Sequence, residues 1–173
     1  MNILFEYKDL KNVFEKTENL ILSDHSFYNH AIDLKLRKKP SFDLLYNLSV
    51  TELNTLWEYL KQNLEKKMIC YSISSAAFPL LFIFKKNDEL HSCVNYQVLN
   101  NITIKNWYSL PLIFKALNHL QEVQIFTKLD VKNAYNWIRI KEENEWKTAF
   151  QTCFRLFEYL VLPFELTNAP VSF

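Results

Sequence analysis

Asp130 closes an apolar run of Ile125, Phe126 and Leu129, and Tyr135 follows five positions later. A carboxylate at a strand end is where a phosphoryl-transfer enzyme can hold a divalent cation, since hard ions take oxygen ligands. Strands also end in Asp for turn reasons alone, so the neighbours decide what the pattern means. They come in one order: Thr127-Lys-Leu-Asp-Val-Lys-Asn-Ala-Tyr135, Ile138-Arg-Ile-Lys-Glu142, Glu145-Trp-Lys-Thr-Ala-Phe150, Phe157-Glu-Tyr-Leu-Val-Leu-Pro-Phe164 and Leu166-Thr-Asn-Ala-Pro170.

Elements must position these residues. Ser49-Val-Thr-Glu52 reads as a capping box, with Ser49 as N-cap. Leu53, Leu56, Trp57, Leu60 and Leu64 carry helical spacing on to about Met68. Leu80-Leu-Phe-Ile-Phe84 predicts a buried strand. Asn87-Asp88 is the turn into a second strand through Cys93, Val94 and Tyr96, which leaves Lys85 and Lys86 flanking that turn. Pro111 suits the first turn of a helix bearing Leu112, Ile113, Leu117 and Leu120. Strands are expected near 125–130, 136–141, 147–152 and 157–161, and a helix begins at Thr167-Asn-Ala-Pro170. Upstream, Asp9–Phe14 suggests a short helix, and His30–Leu34 alternates like a strand.

The 173 residues can bury one good core. At 49% hydrophobic and 16% aromatic, the composition excludes a disordered tail. The net charge of +1 assigns any nucleic-acid contact to local basic clusters rather than to the whole-protein field. Cys70, Cys93 and Cys153 are odd in number, widely spaced and without paired metal-ligand spacing, which points to buried reduced thiols. No apolar run is long enough to span a bilayer, and the first residues are not a signal peptide, so the expectation is a soluble intracellular protein of cytoplasm or nucleus. One number is abnormal. There is no Gly, where average usage of about 7% predicts about 12.

The ordered segments, together with Asn101-Ile-Thr-Ile-Lys-Asn106, Tyr108 and His30-Ala-Ile-Asp33, resemble the polymerase region of gypsy-type LTR retrotransposon reverse transcriptases. The resemblance covers nearly the whole chain. It implies an α+β fold of fingers and partial palm, an antiparallel sheet backed by helices. Residues 1–48 would be the connector from the protease, 49–110 the fingers and 111–173 the first half of the palm. It implies an RNA-directed DNA polymerase that uses Mg²⁺ and handles an RNA template, a DNA primer and deoxynucleotides.

By the same resemblance, Asp130 is the first catalytic, metal-binding Asp, and the main-chain carbonyl of Val131 is a further ligand. The family's two later aspartates have no counterpart, since no Asp follows Asp130. Tyr135 matches the ring beneath the sugar of the incoming nucleotide, which leaves no room for a 2′-OH; the bland alternative is a core aromatic. Lys85 and Lys86 match triphosphate-binding cations; the alternative is a solvated turn flank. His91 stands where the family has Arg, and an imidazole clamps triphosphate less well than a planar, permanently charged guanidinium. Phe164 and Glu165 stand at the family's Phe-Gly beside nucleotide and template, where Glu165 brings bulk and negative charge.

The departures share a direction. The family's Arg is replaced at His91, Gln97, Trp107, Gln151 and Cys153, its Pro at Ser109, its Gly at Asp88, Asn133 and Glu165, and its Asp at Asn95. Nearly all can arise by C-to-T or G-to-A changes, the signature of a decayed element copy. The expectation is a fragment inactive alone, with self-association through a truncated palm edge. Two other classes stay open. One is a non-catalytic nucleic-acid-binding remnant that uses Lys35, Arg37, Lys38 and Lys39 with fingers aromatics. The other is a domesticated interaction protein.

Overall fold

The computed structural model describes residues 22–84, 90–108, 112–121, 123–125, 131 and 134–172. The Asp9–Phe14 helix and positions 126–130 of an expected strand lie outside these residues.

The first described helix, α1 (Val50–Glu65), begins where the capping box predicts. Ser49 is extended, its hydroxyl accepts from the Glu52 N–H at 3.4 Å, and the Glu52 carboxylate accepts from the Ser49 N–H at 2.7 Å. Leu56 and Leu60 are buried, but Trp57 is 54% exposed, so the buried stripe is narrower than the apolar spacing suggests. The helix ends on a left-handed residue, Lys67 at φ 56°. Its N–H donates to the Leu64 carbonyl at 3.0 Å, and the Met68 N–H reaches back to Asn63 at 2.9 Å. This is the reversal that Gly usually makes; here Lys makes it against a steric cost of about 1 kcal/mol.

The reversal delivers β1 (Ile69–Tyr71), followed by the hairpin of β2 (Phe78–Phe84) and β3 (Leu90–Val94), and then α2 (Gln97–Ile102) and α3 (Ile113–Leu120). After two 3-10 segments, Ala134–Trp137 and Glu142–Thr148, come β4 (Phe150–Gln151), β5 (Leu156–Tyr159) and α4 (Ala169–Ser172). Among the described residues the strands make one five-stranded sheet in the order β1-β5-β4-β2-β3. Its neighbours are antiparallel except β2 and β4. The register sets Phe78 against Phe150, Phe150 against Phe157 and Phe157 against Tyr71. An aromatic row therefore crosses the sheet, with ring centroids 5.7 Å apart for Phe150 and Phe157 and 5.3 Å for Phe157 and Tyr71. Aromatic cross-strand pairs of this kind pin register.

The chain departs from the expected strands in its second half. Positions 136–141 make single bridges, Arg139 to Val161 and Ile140 to His30, rather than a ladder. Residues 142–148 form a 3-10 turn because local groups satisfy its backbone. The Asn144 N–H donates to Lys141 at 2.7 Å, and the Thr148 hydroxyl donates to the Glu145 carbonyl at 2.7 Å. The expected 30–34 strand is likewise split. His30 pairs with Ile140, Leu34 with Thr103, and Phe42 further on with Ala77. Residues 30–42 thus run as a strap across three parts of the fold, which preserves a period-2 pattern (Ile32 buried between exposed Ala31 and Asp33) without a continuous strand.

Candidate functional site

A cleft of about 720 Å³ opens between α1, the start of β3, Val131, and the segments 134–136 and 159–165. The hairpin carries Leu90, His91 and Ser92 to its rim, while the 3-10 turn after Val131 brings Tyr135 to it from the other half of the chain. In the Pro163-Phe164-Glu165 turn Pro163 is buried like Val161 and Leu162 before it, so the backbone is anchored, with Phe164 exposed and Glu165 partly so.

Tyr135 is partly buried and packs against the core, whereas Phe164 is 73% exposed. Their rings meet edge-to-face, with centroids 4.8 Å apart and planes at 71°, the arrangement that ring quadrupoles favour. Glu165 is held by its backbone. Its carbonyl accepts from the Asn100 Nδ2 at 2.8 Å, and the Asn100 Oδ1 accepts from the Thr167 N–H at 2.9 Å. Burial, and then a hydrogen bond to the Glu165 carboxylate, pushes the Cys93 thiol up to about 12. That thiol stays protonated and is no nucleophile at neutral pH.

Five of the residues singled out by sequence therefore line one cleft: His91, Val131, Tyr135, Phe164 and Glu165. Asp130, Lys85 and Lys86 lie outside the described residues. Val131, next to Asp130 in sequence, lines the cleft, whereas Phe84, next to Lys85, does not.

Sequence reasoning missed the polar floor. The Tyr59 and Tyr159 hydroxyls lie 2.6 Å apart. Burial raises both phenols above their ordinary range, and for Tyr59 hydrogen bonds from Tyr159 and Ser92 oppose the rise. Tyr59 sits beside Leu60 in the helical pattern, so only its place next to the apolar stripe marked it. Cys70 also stays protonated, pushed by burial and by Glu158 up to about 11.

Two Mg²⁺ ions of the family's kind need several carboxylate oxygens. Among the described residues no group of three or more His, Cys, Asp and Glu is placed to hold a metal ion. The cleft's described acid is Glu165, and one further carboxylate in the sequence, Asp130, matches the family's metal position. The donors among the described residues do not by themselves make a two-ion centre.

A family model for reverse transcriptase (RNA-dependent DNA polymerase) matches residues 83–173, over half of the chain and most of the cleft. The chain belongs to the reverse transcriptase family. Relatives include the Tf2-3 and Tf2-7 transposon polyproteins of Schizosaccharomyces pombe (strain 972 / ATCC 24843). Each is 38% identical over 128 residues, 74% of this chain and 10% of the polyprotein. This reverse transcriptase is thus an LTR-retrotransposon segment of the gypsy type, as the motif order implied, and it spans about a tenth of the length of those curated relatives. Among solved structures, the protease-reverse transcriptase of prototype foamy virus superposes with a TM-score of 0.71 at 18% identity. It covers 95% of this chain and 23% of the viral one, which supports the α+β reverse-transcriptase fold. No helix among the described residues is long and apolar enough to cross a membrane.

Proposed function

We propose that the cleft is the nucleotide end of an RNA-directed DNA polymerase, in a segment that does not polymerise by itself. The observation that carries this reading is the convergence of His91, Val131, Tyr135, Phe164 and Glu165, drawn from distant stretches of the sequence, on one cleft. On this reading residues 1–48 are the connector, 49–110 the fingers and 111–173 the first half of the palm. Template, primer and deoxynucleotide are the ligands. The Tyr135 ring lies under the sugar and excludes a 2′-OH, and Phe164 braces that ring from its edge. Asp130, Lys85 and Lys86 keep the metal-binding and triphosphate-binding roles that the family implies.

Mg²⁺ supplies the family's charge neutralisation on the triphosphate. One carboxylate side chain does not hold two ions in line with the attacking and leaving oxygens. The chain's own residues position the sugar and base and shield them with Tyr135 and Phe164. Glu165 places negative charge beside the polyphosphate, and His91 supplies less compensation than an Arg.

The test is primer extension on a primed RNA template with Mg²⁺ or Mn²⁺. No incorporation is expected from the 173 residues, nor from Glu165→Gly combined with His91→Arg. Template-dependent incorporation that Asp130→Asn abolishes would overturn the inactivity.

A further inference from the structure

Trp57 follows the apolar spacing of α1 yet stays 54% exposed, because it faces a groove rather than a packed element. The groove, of about 540 Å³, lies on the other flank of α1 from the cleft and shares no lining residue with it. Aromatic rings build its walls. Trp57 meets Phe154 with ring centroids 5.2 Å apart, and Tyr71 meets Phe157 at 5.3 Å. A concave, mostly apolar site of this volume with a few placed polar groups is the usual form of a binding pocket. The placed group here is Arg155. Its guanidinium lies over the Tyr71 ring, 5.3 Å from the centroid, a cation–π contact that orients it. Among the described residues neither Arg155 nor Lys61, which also lines the groove, forms an ion pair. Glu65 is the one acid in the lining, so the groove is net cationic.

Tyr71 also belongs to an open sheet edge. β1 ends the sheet, and among the described residues no strand pairs with its outer side. The ladder to β5 fixes which backbone groups face outward. The Leu160 N–H donates to the Met68 carbonyl at 2.9 Å and the Ser72 N–H to the Leu156 carbonyl at 3.1 Å, while Tyr71 stands opposite Phe157. Bonded and non-bonded positions alternate along an antiparallel pair, so the Tyr71 N–H and carbonyl point away from β5. Tyr71 is 60% exposed and Ile73 fully so. The segment is held in place from its inner side. The Ser72 hydroxyl donates to Glu158 at 2.5 Å and accepts from the Ser74 N–H at 3.0 Å, and the Ser74 hydroxyl donates to the Trp146 carbonyl at 2.7 Å. Open edges are normally blunted by a charge, a Pro or a bulge. Residues 69–75 carry neither charge nor Pro.

We propose that this edge and groove receive an extended peptide of a partner protein, added as a further strand beside β1. The peptide sets a large apolar side chain in the groove and an acidic residue, two positions away, against Arg155 and Lys61. Strand addition draws affinity from main-chain hydrogen bonds and specificity from pockets for alternate side chains. Side chains two apart on a strand share a face, so anchor and acid both lie on the side of the Tyr71 ring. Charge chooses the occupant. A second copy of this chain pairing through its own residues 69–75 brings no acid to Arg155. The site is independent of the cleft and of the nucleotide reading.

The test is fluorescence anisotropy of a fluorescein-labelled peptide, Thr-Val-Phe-Thr-Asp-Val-Thr, titrated with the whole chain. Replacing its Phe by Ala, replacing its Asp by Lys, or N-methylating the amides of one edge should each weaken binding about tenfold. Trp57→Ala should also weaken binding about tenfold. Arg155→Glu should weaken the Asp peptide about tenfold and restore the Lys peptide. The peptide changes leave the protein untouched and the charge swap restores binding, so a damaged fold does not mimic this pattern. No saturation below about 1 mM would overturn the proposal. So would full affinity for the N-methylated peptide, or a charge swap without rescue. Displacement of the peptide by deoxythymidine triphosphate or oligothymidine would make this a nucleic-acid surface and refute the peptide. A dimer in sedimentation that Tyr71→Pro dissociates would put a second copy on the edge, and refute it equally.

Discussion

The Phe164 ring stands edge-on to that of Tyr135, 4.8 Å between centroids, although the two residues are separated by the second 3-10 turn and by β4 and β5. Phe164 is largely exposed, so burial does not account for its position; the contact with Tyr135 helps to fix it. Edge-to-face pairs contribute about 0.5–1.5 kcal/mol beyond area. A double-mutant cycle of Tyr135→Leu and Phe164→Leu, read by urea denaturation, should give a coupling of about 1 kcal/mol. Strict additivity would show that the rings do not support one another.

Lys67 offers a second test. It occupies a left-handed position at the end of α1 in a chain without Gly. Lys67→Gly should stabilise the protein by about 1 kcal/mol, since relief of the steric cost outweighs the extra freedom of the unfolded chain. The midpoint of chemical denaturation reads this directly. Lys67→Val, β-branched at positive φ, should move it the other way.

His30 makes stability depend on pH. It is 3% exposed, its Nδ1 lies 2.7 Å from the Ser172 hydroxyl, and burial pulls its pKa down to about 4 against the opposing charge of Asp33. Between the ordinary value of 6.5 and about 4 the unfolded chain binds a proton that the folded chain refuses. The contribution is therefore complete above 6.5, is lost as pH falls through that window and is gone below about 4. The loss is about 3 kcal/mol for this group. Denaturation from pH 7 to 4 should show it, and His30→Gln should flatten the profile.

The parts of the fold legible in sequence were those with local causes. The Ser49 capping box set the start of α1, and the apolar runs around Asn87-Asp88 gave the β2–β3 hairpin. What stayed hidden depended on distant partners. Residues 30–42 pair with three separate segments, so their alternation looked like one strand. Residues 142–148 are turned by the hydrogen bonds of Asn144 and Thr148, which periodicity does not register. At the site, motif order identified His91, Val131, Tyr135, Phe164 and Glu165, and the fold brings them to one cleft. The Tyr59–Tyr159 floor was not legible, because Tyr59 reads as part of an amphipathic helix until β5 is packed against it.

The most direct measurement is the binding of a fluorescent deoxythymidine triphosphate in chelator at low salt, comparing the native chain with Glu165→Gly, Tyr135→Ala and Trp57→Ala. Trp57 lines a separate apolar groove of about 540 Å³ with Phe154 and serves as the control. Removing the Glu165 charge should tighten binding about fivefold, the effect of about 1 kcal/mol of screened repulsion. Tyr135→Ala should weaken binding and admit the ribonucleotide equally well, and Trp57→Ala should change nothing. Affinity indifferent to Glu165 and Tyr135 but lost with Trp57→Ala would contradict the assignment of this cleft as the nucleotide site.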